Sequence, residues 1–291
     1  MSNGKLVSAK TGKAVVLRGV SLHGLAWYPQ YVDKSVFRTL RRTWKANAVR
    51  LPLYTEEYGG YCSGGNRKRL LQLVDNGVRY ATENDMYVII DWHTLHDANP
   101  NKHVAAAKRF FATVAKKYRK HNNVIFEICN EPNGSTTWAS VKKYAKRVIP
   151  QVRKFDKNAI ILLGTPEWCQ RIDQAARHPL PKKYARNVMY TFHFYAATHK
   201  ADLRNRLKTA LEAKVPVFVS EYGISEASGS GALDKAEARR WMRLLTSYKV
   251  GRCIWNLSNK NESSALVKTG VTYKGLRASG KWAYKAIRKA W

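Results

Sequence analysis

The chain has 291 residues, 45% of them apolar and 11% aromatic, so it can bury a large core and is neither a disordered tail nor a small disulfide scaffold. Its 52 Lys and Arg against 20 Asp and Glu give a net charge of +32, which suits a polyanion partner or a solvated basic shell. No apolar run reaches the roughly 18 residues that a membrane-spanning helix needs.

The start, MSNGKLVSAKTGK, has no apolar stretch of the kind found in a signal peptide, which predicts a cytoplasmic protein or the mature form of a secreted one. Short apolar runs then recur at 15–21 (VVLRGVS), 47–53 (NAVRLPL), 86–91 (MYVIID), 124–129 (VIFEIC), 159–163 (AIILL), 188–193 (VMYTFH), 216–220 (PVFVS) and 251–257 (GRCIWNL). Most are continuously apolar, as parallel strands buried on both faces are. Between them, the patterning predicts helices near 34–45, 66–84, 102–120, 138–154, 171–177, 200–213, 233–248 and 279–289. Eight strands alternating with eight helices predict a (β/α)8 TIM barrel, one domain over residues 1–291. A doubly wound open sheet is the alternative, but the glycine-rich phosphate turn usual there is absent. The basic residues fall in six of the helical segments, so the charge is spread over the outside rather than focused on one site. Cys62, Cys129, Cys169 and Cys253 form no CxxC pair and are expected to be free thiols.

In such a barrel the active site forms where the strands end. The first strand runs into His23, Trp27 and Tyr28, and the second carries Arg50 and runs toward Tyr54. The third ends in Asp91-Trp92-His93, the fourth in Asn130-Glu131, and the fifth runs into Trp168. The sixth ends in His193-Phe194-Tyr195 and the seventh in Glu221-Tyr222, while the eighth carries Trp255 and runs into Lys260 and Glu262. Glu131 and Glu221 are the two glutamates placed directly after a predicted strand, on different sides of the mouth. Two opposed carboxylates are what glycoside hydrolysis needs, one protonated to donate to the leaving oxygen and one ionised to attack the anomeric carbon. Arg50, His193 and Tyr195 can tune them by hydrogen bonds, and Trp27, Trp168 and Trp255 suit the apolar C–H faces of sugar rings. Between residues 98 and 155 stand thirteen Lys and Arg but only two acids, Glu127 and Glu131. Glu127 shares the strand alternation of Glu131 and should point inward, where an unpaired charge is costly. It is expected to partner a buried cation such as Arg50, to be protonated, or to serve only the base of the barrel.

Together GVSLHGLAWYP, VIIDWH, EICNEPNG, YTFHFYAATH, SEYG and IWNLSNKNESS resemble the bacterial cellulases of glycoside hydrolase family 5, from about Val15 onward. The resemblance implies the same (β/α)8 barrel and a retaining endo-β-1,4-glucanase acting on cellulose or mixed β-glucan. It implies Glu131 as acid/base and Glu221 as nucleophile, with carboxyl groups about 5–5.5 Å apart. Arg50, His93, Asn130, His193, Tyr195 and Trp255 match the surrounding active-site positions, and Asn130 would bind the sugar 2-hydroxyl. His23, Trp27, Tyr28, Lys260 and Glu262 match positions on the non-reducing side, Trp168 one on the leaving-group side, and Tyr54 joins the expected sugar-binding set. Two departures stand out: SEYG puts Tyr222 where the family usually has Trp, and Asn259 replaces a frequent acid.

The same machinery acting on mannan, xylan or xyloglucan is a second reading, and a basic polyanion-binding protein is a third. The expected partner is β-1,4-glucan, with non-specific polyanion binding through the basic surface and no membrane. The expected state is a secreted monomer needing no metal or organic cofactor, since no HExxH, clustered ligand spacing or nucleotide loop occurs. The positive shell should lower the pKa of both catalytic glutamates, although most of its charges lie beyond the Debye length of about 8 Å.

Overall fold

The computed structural model describes residues 1–289. Eight parallel strands close into a barrel in sequence order: β1 (Arg18–Leu22), β2 (Ala48–Tyr54), β3 (Tyr87–His93), β4 (Val124–Glu127), β5 (Ile160–Leu163), β6 (Val188–Tyr195), β7 (Val217–Gly223) and β8 (Arg252–Leu257). Outside them run α1 (Lys34–Arg42), α2 (Arg67–Glu83), α3 (Val104–Tyr118), α4 (Trp138–Arg153), the short α5 (Pro166–Cys169), α6 (Ile172–Arg177) and α7 (Lys182–Ala185), then α8 (Ala201–Glu212), α9 (Lys235–Ser247) and α10 (Ala278–Arg288). Eight of these coincide with the predicted helices. The short α5 and α7, too brief for a periodic pattern, were not foreseen.

Strand alternation sorts the side chains. Outward residues such as Val49, Ile90, Phe126, Ile161, Phe192 and Val219 join the large core beneath the helices. Inside, Leu17, Ala48, Ile89, Ile125, Leu162, Met189, Phe218 and Cys253 form an apolar plug at the base, one residue from each strand or its approach. Gly19 lies in the same layer, where a Cβ would meet the Ala48 carbonyl oxygen at 2.6 Å. Above the plug the interior turns polar, with Ser21, Arg50, Asp91, Glu127, Thr191 and Ser220 all buried. Four helices start on side-chain caps from Asp33, Asn66, Thr137 and Asp234, each accepting from backbone N–H groups in the first turn.

Two strand ends depart from the sequence reading. β4 stops at Glu127 rather than at residue 129, so Glu131 is reached through irregular backbone and not by continued alternation. That backbone is held by the Asn130 and Glu131 N–H groups, which donate to the Trp92 and Thr94 carbonyls. β7 runs past residue 220 to Gly223, so Glu221 lies within the strand. It is also bulged: Thr191 pairs with Phe218 but His193 with Glu221, one residue more on β7 than on β6. A bulge lets two neighbours share one face, and here both Ser220 and Glu221 reach interior partners.

Candidate active site

At the C-terminal mouth lies a cleft of about 430 Å³ whose lining includes His23, Tyr54, His93, Glu131, Trp168, His193, Tyr195, Glu221, Trp255, Lys260 and Glu262. Arg50 and Asn130 are fully buried and stand behind this wall. Trp27 and Tyr28, expected to hold sugars, are not on the lining. Tyr28 backs the His23 ring at 4.9 Å, and Trp27 packs on Tyr54 at 4.6 Å. Both were expected there from the family resemblance, and both lie directly against rings of the lining, Tyr28 against His23 and Trp27 against Tyr54.

Arg50 organises the base of the site. Its Nε donates to Glu127 Oε2 at 2.7 Å, its Nη1 to Glu221 Oε2 at 2.8 Å and its Nη2 to Asn130 Oδ1 at 2.5 Å. Nη2 also lies 3.0 Å from Asp91 Oδ2. Glu127 is therefore the partner of a buried cation, the first of the three roles expected for it. Burial alone would lower the Arg50 pKa, but Asp91, Glu127 and Glu221 hold it well above the ordinary value. Burial also raises the Asp91 and Glu127 carboxyls, the former to about 8, with Arg50 opposing. One guanidinium against three carboxylates leaves negative charge uncompensated, so the cluster favours holding a proton.

The two glutamates of the mouth sit in different surroundings. Glu221 accepts from Arg50 on one oxygen and from Tyr195 Oη at 2.7 Å on the other, an arrangement suited to an ionised carboxylate. Glu131 meets a neutral imidazole: its Oε1 lies 2.7 Å from His193 Nδ1. Burial lowers the His193 pKa to about 4 and raises that of Glu131 to about 7 against the pull of Arg50. Ser220 Oγ donates to Glu127 Oε1 at 2.6 Å and lies 2.8 Å from His193 Nε2. With its hydrogen so directed, Ser220 accepts from Nε2–H, which leaves Nδ1 free to accept the proton of Glu131. A carboxylate oxygen of each glutamate and a nitrogen of His193 lie within 4.8 Å of one another, the one metal-sized cluster among the described residues. Within it Glu221 is held by Arg50 and Tyr195, His193 Nε2 faces Ser220, and His193 Nδ1 faces Glu131.

His93 is oriented by Asp91, whose Oδ2 lies 2.6 Å from Nδ1, and its Nε2 meets the Asn130 amide at 3.2 Å. Aromatic groups build one flank: His23 lies 4.9 Å from Trp255, and Trp255 stacks on His93 at 5.6 Å. The Gly24 N–H donates to His23 Nδ1 at 2.7 Å, so the neutral ring carries its hydrogen on Nε2. Lys260 pairs with Glu262 at 2.7 Å, and Asn256 and Ser264 hold the same carboxylate. On the other flank Trp168 is 46% exposed, on a turn where Glu167, Trp168 and Cys169 all take positive φ. Such backbone is costly for non-glycine residues and persists only where surroundings enforce it. Here the Trp168 N–H donates to the Pro132 carbonyl and Cys169 Sγ to the Asn130 carbonyl, which ties the turn to the loop bearing Glu131. Tyr222 points outward, stacked on Phe194 at 5.3 Å, so its exchange for Trp alters helix packing rather than the cleft.

Several contributors escaped sequence reading. Asp91 reads from the sequence only as a polar strand end and Ser220 not at all, yet both orient other site residues; Leu95, Gln170, His199, Ala227, Ser228 and Gly229 line the cleft without having been expected there. Gln170 and His199 stand only two and four residues beyond Trp168 and Tyr195, and loop proximity was the available signal. The four cysteines are free, three of them buried.

A family model described as Cellulase (glycosyl hydrolase family 5) matches residues 8–261. The chain is 47% identical to Endoglucanase A of Butyrivibrio fibrisolvens over 285 residues, covering 95% of this chain and 65% of that protein. It is 41% identical to an Endoglucanase of Clostridium saccharobutylicum, covering 98% of this chain and 64% of that one, so it spans less than two thirds of either relative. A Thermobifida fusca endoglucanase catalytic domain, solved with cellotetraose, superposes with a TM-score of 0.94 at 34% identity, over 99% of this chain and 96% of that one.

Proposed function

The chain belongs to glycosyl hydrolase family 5, the cellulases, and from that premise we propose that it is a retaining endo-β-1,4-glucanase. The observation that carries the mechanism is the pair Glu131 and Glu221, whose facing oxygens lie within 4.8 Å. That closeness agrees with the carboxyl separation of about 5–5.5 Å in retaining enzymes rather than the about 6.5–9.5 Å of inverting ones, and it suits direct attack. In the first step Glu221 attacks the anomeric carbon and forms a glycosyl ester. The C–O bond to the leaving sugar breaks, and the Glu131 proton goes to its oxygen. In the second step Glu131, now ionised, takes a proton from water as that water attacks the same carbon and releases Glu221. Arg50 and Tyr195 hold the nucleophile, and His193 holds the acid through its unprotonated Nδ1. His93 orients Asn130, whose amide would meet the 2-hydroxyl of the reacting sugar. Trp255, Tyr54 and His23 with the Lys260–Glu262 pair would hold sugars on the non-reducing side, with Trp27 and Tyr28 supporting them. Trp168 would take the leaving-group side.

The cellulose reading is tested against mannan, xylan and xyloglucan by reducing-sugar release on a panel, with product analysis. Release of short cello-oligosaccharides from carboxymethylcellulose is expected. Faster cleavage of another backbone would move the substrate assignment while leaving the mechanism. We further propose that the protein acts as a monomer outside the cell, where an insoluble polymer can reach it, and that its basic shell binds polyanions without specificity.

A further inference from the structure

Three large apolar side chains stand exposed among the described residues: Tyr58 at 92%, Trp168 at 46% and Tyr273 at 38%. Trp168 lines the cleft, and Tyr273 packs edge-on against Tyr284 at 5.1 Å. Tyr58 projects almost wholly into water, yet the backbone beneath it is braced. It lies in the loop leaving β2, where the Gly60 N–H donates to the Glu57 carbonyl at 2.7 Å and the Cys62 N–H to the Thr55 carbonyl at 2.8 Å. Gly59 takes φ of +72°, a region that glycine enters freely, and turns the chain directly after Tyr58. The Tyr58 carbonyl itself accepts the indole N–H of Trp27 at 2.8 Å. Trp27 in turn abuts the cleft wall, 4.6 Å from Tyr54 and 5.5 Å from His23. Rings therefore run from the buried Trp255 and His23 to the partly exposed Trp27, and the Tyr58 backbone is tethered to the last of them.

We propose that Tyr58 is an outer sugar-binding platform, which takes a glucosyl unit of a long β-1,4-glucan beyond those held in the enclosed cleft. This rests on the glucanase reading above. The occupant follows from continuity, since a polymer lying in the cleft along the aromatic flank leaves it past Trp27. Sugar C–H faces are apolar and pack on an aromatic plane, and a ring on a braced loop loses little freedom when it docks. The dependence on chain length separates this role from a structural one. An aryl cellobioside is too short to pass the enclosed cleft, whereas cellohexaose can reach beyond it.

The test measures kcat/KM on cellohexaose and on an aryl cellobioside for the parent, Tyr58→Ala and Tyr58→Trp. The ratio of the two values is expected to fall about five-fold in Tyr58→Ala, the scale of one aromatic contact, and to return in Tyr58→Trp. An unchanged ratio in Tyr58→Ala, or one that Tyr58→Trp fails to restore, would overturn the platform. A parent that cleaves neither substrate would instead overturn the glucanase reading, so the two failures are distinct.

Discussion

The proton on Glu131 gives the sharpest quantitative test. Its carboxyl is buried in the wall of the cleft and raised from 4.5 to about 7, with burial the main cause and Arg50 opposing. The mechanism needs this group protonated in the first step, so the alkaline limb of kcat/KM on a neutral soluble glucan should have its midpoint near pH 7. At one unit below the midpoint about 90% of the enzyme carries the proton, and at one unit above about 10%, so activity should fall roughly tenfold per unit beyond it. The basic shell acts in the opposite sense to burial, because positive charge favours the carboxylate. Its residues lie largely on the outer helices, and salt screens exposed charges beyond the Debye length of about 8 Å at physiological salt. Raising salt from about 10 mM to about 300 mM should therefore move the limb upward, by no more than about half a unit. The assay is initial-rate kinetics from pH 4 to 9 at both salt levels. A limb centred near the ordinary carboxyl range would refute the claim that burial sets this proton, and a larger salt shift would show that the outer charge governs it.

Other consequences follow from the same geometry. Glu131→Gln should abolish cleavage of cellulose but largely spare glycosylation by an aryl glycoside with a good leaving group, whereas Glu221→Gln should remove both; like behaviour of the two variants would overturn the division of roles. Because the folded-state pKa of Glu131 is raised, its stability contribution is fully present below 4.5 and is lost as pH rises to about 7. The thermal midpoint of Glu131→Gln relative to the parent should therefore climb over that window and level off above it, as differential scanning fluorimetry would record. Arg50→Met should destabilise the fold by about 3–5 kcal/mol in chemical denaturation, since it leaves Asp91, Glu127 and Glu221 without their shared cation. Retention on heparin should weaken steeply with salt as counterions compete; binding that survives about 0.5 M salt would mean a specific polyanion site.

The barrel was legible in the sequence because its signals are local. Eight apolar runs buried on both faces alternate with amphipathic helices, and each observed strand overlaps its predicted run. The strand ends then pointed to the mouth, and Glu131, His193, Tyr195, Glu221 and Trp255 do meet there. What only the tertiary structure decided is how residues distant in the chain share charge and hydrogen bonds. Glu127 could be placed inside by alternation, but its pairing with Arg50 spans 77 positions and depends on the closure of the barrel. Asp91 read as one more polar strand end, and its hold on His93 and Arg50 needs their side-chain directions. Ser220 and Glu221 are chain neighbours, and strict alternation would send them to opposite faces. The bulge in β7 turns both inward, so that one steadies His193 while the other faces Glu131. A bulge is set by pairing register between strands, and register is a property of the closed sheet rather than of any one segment.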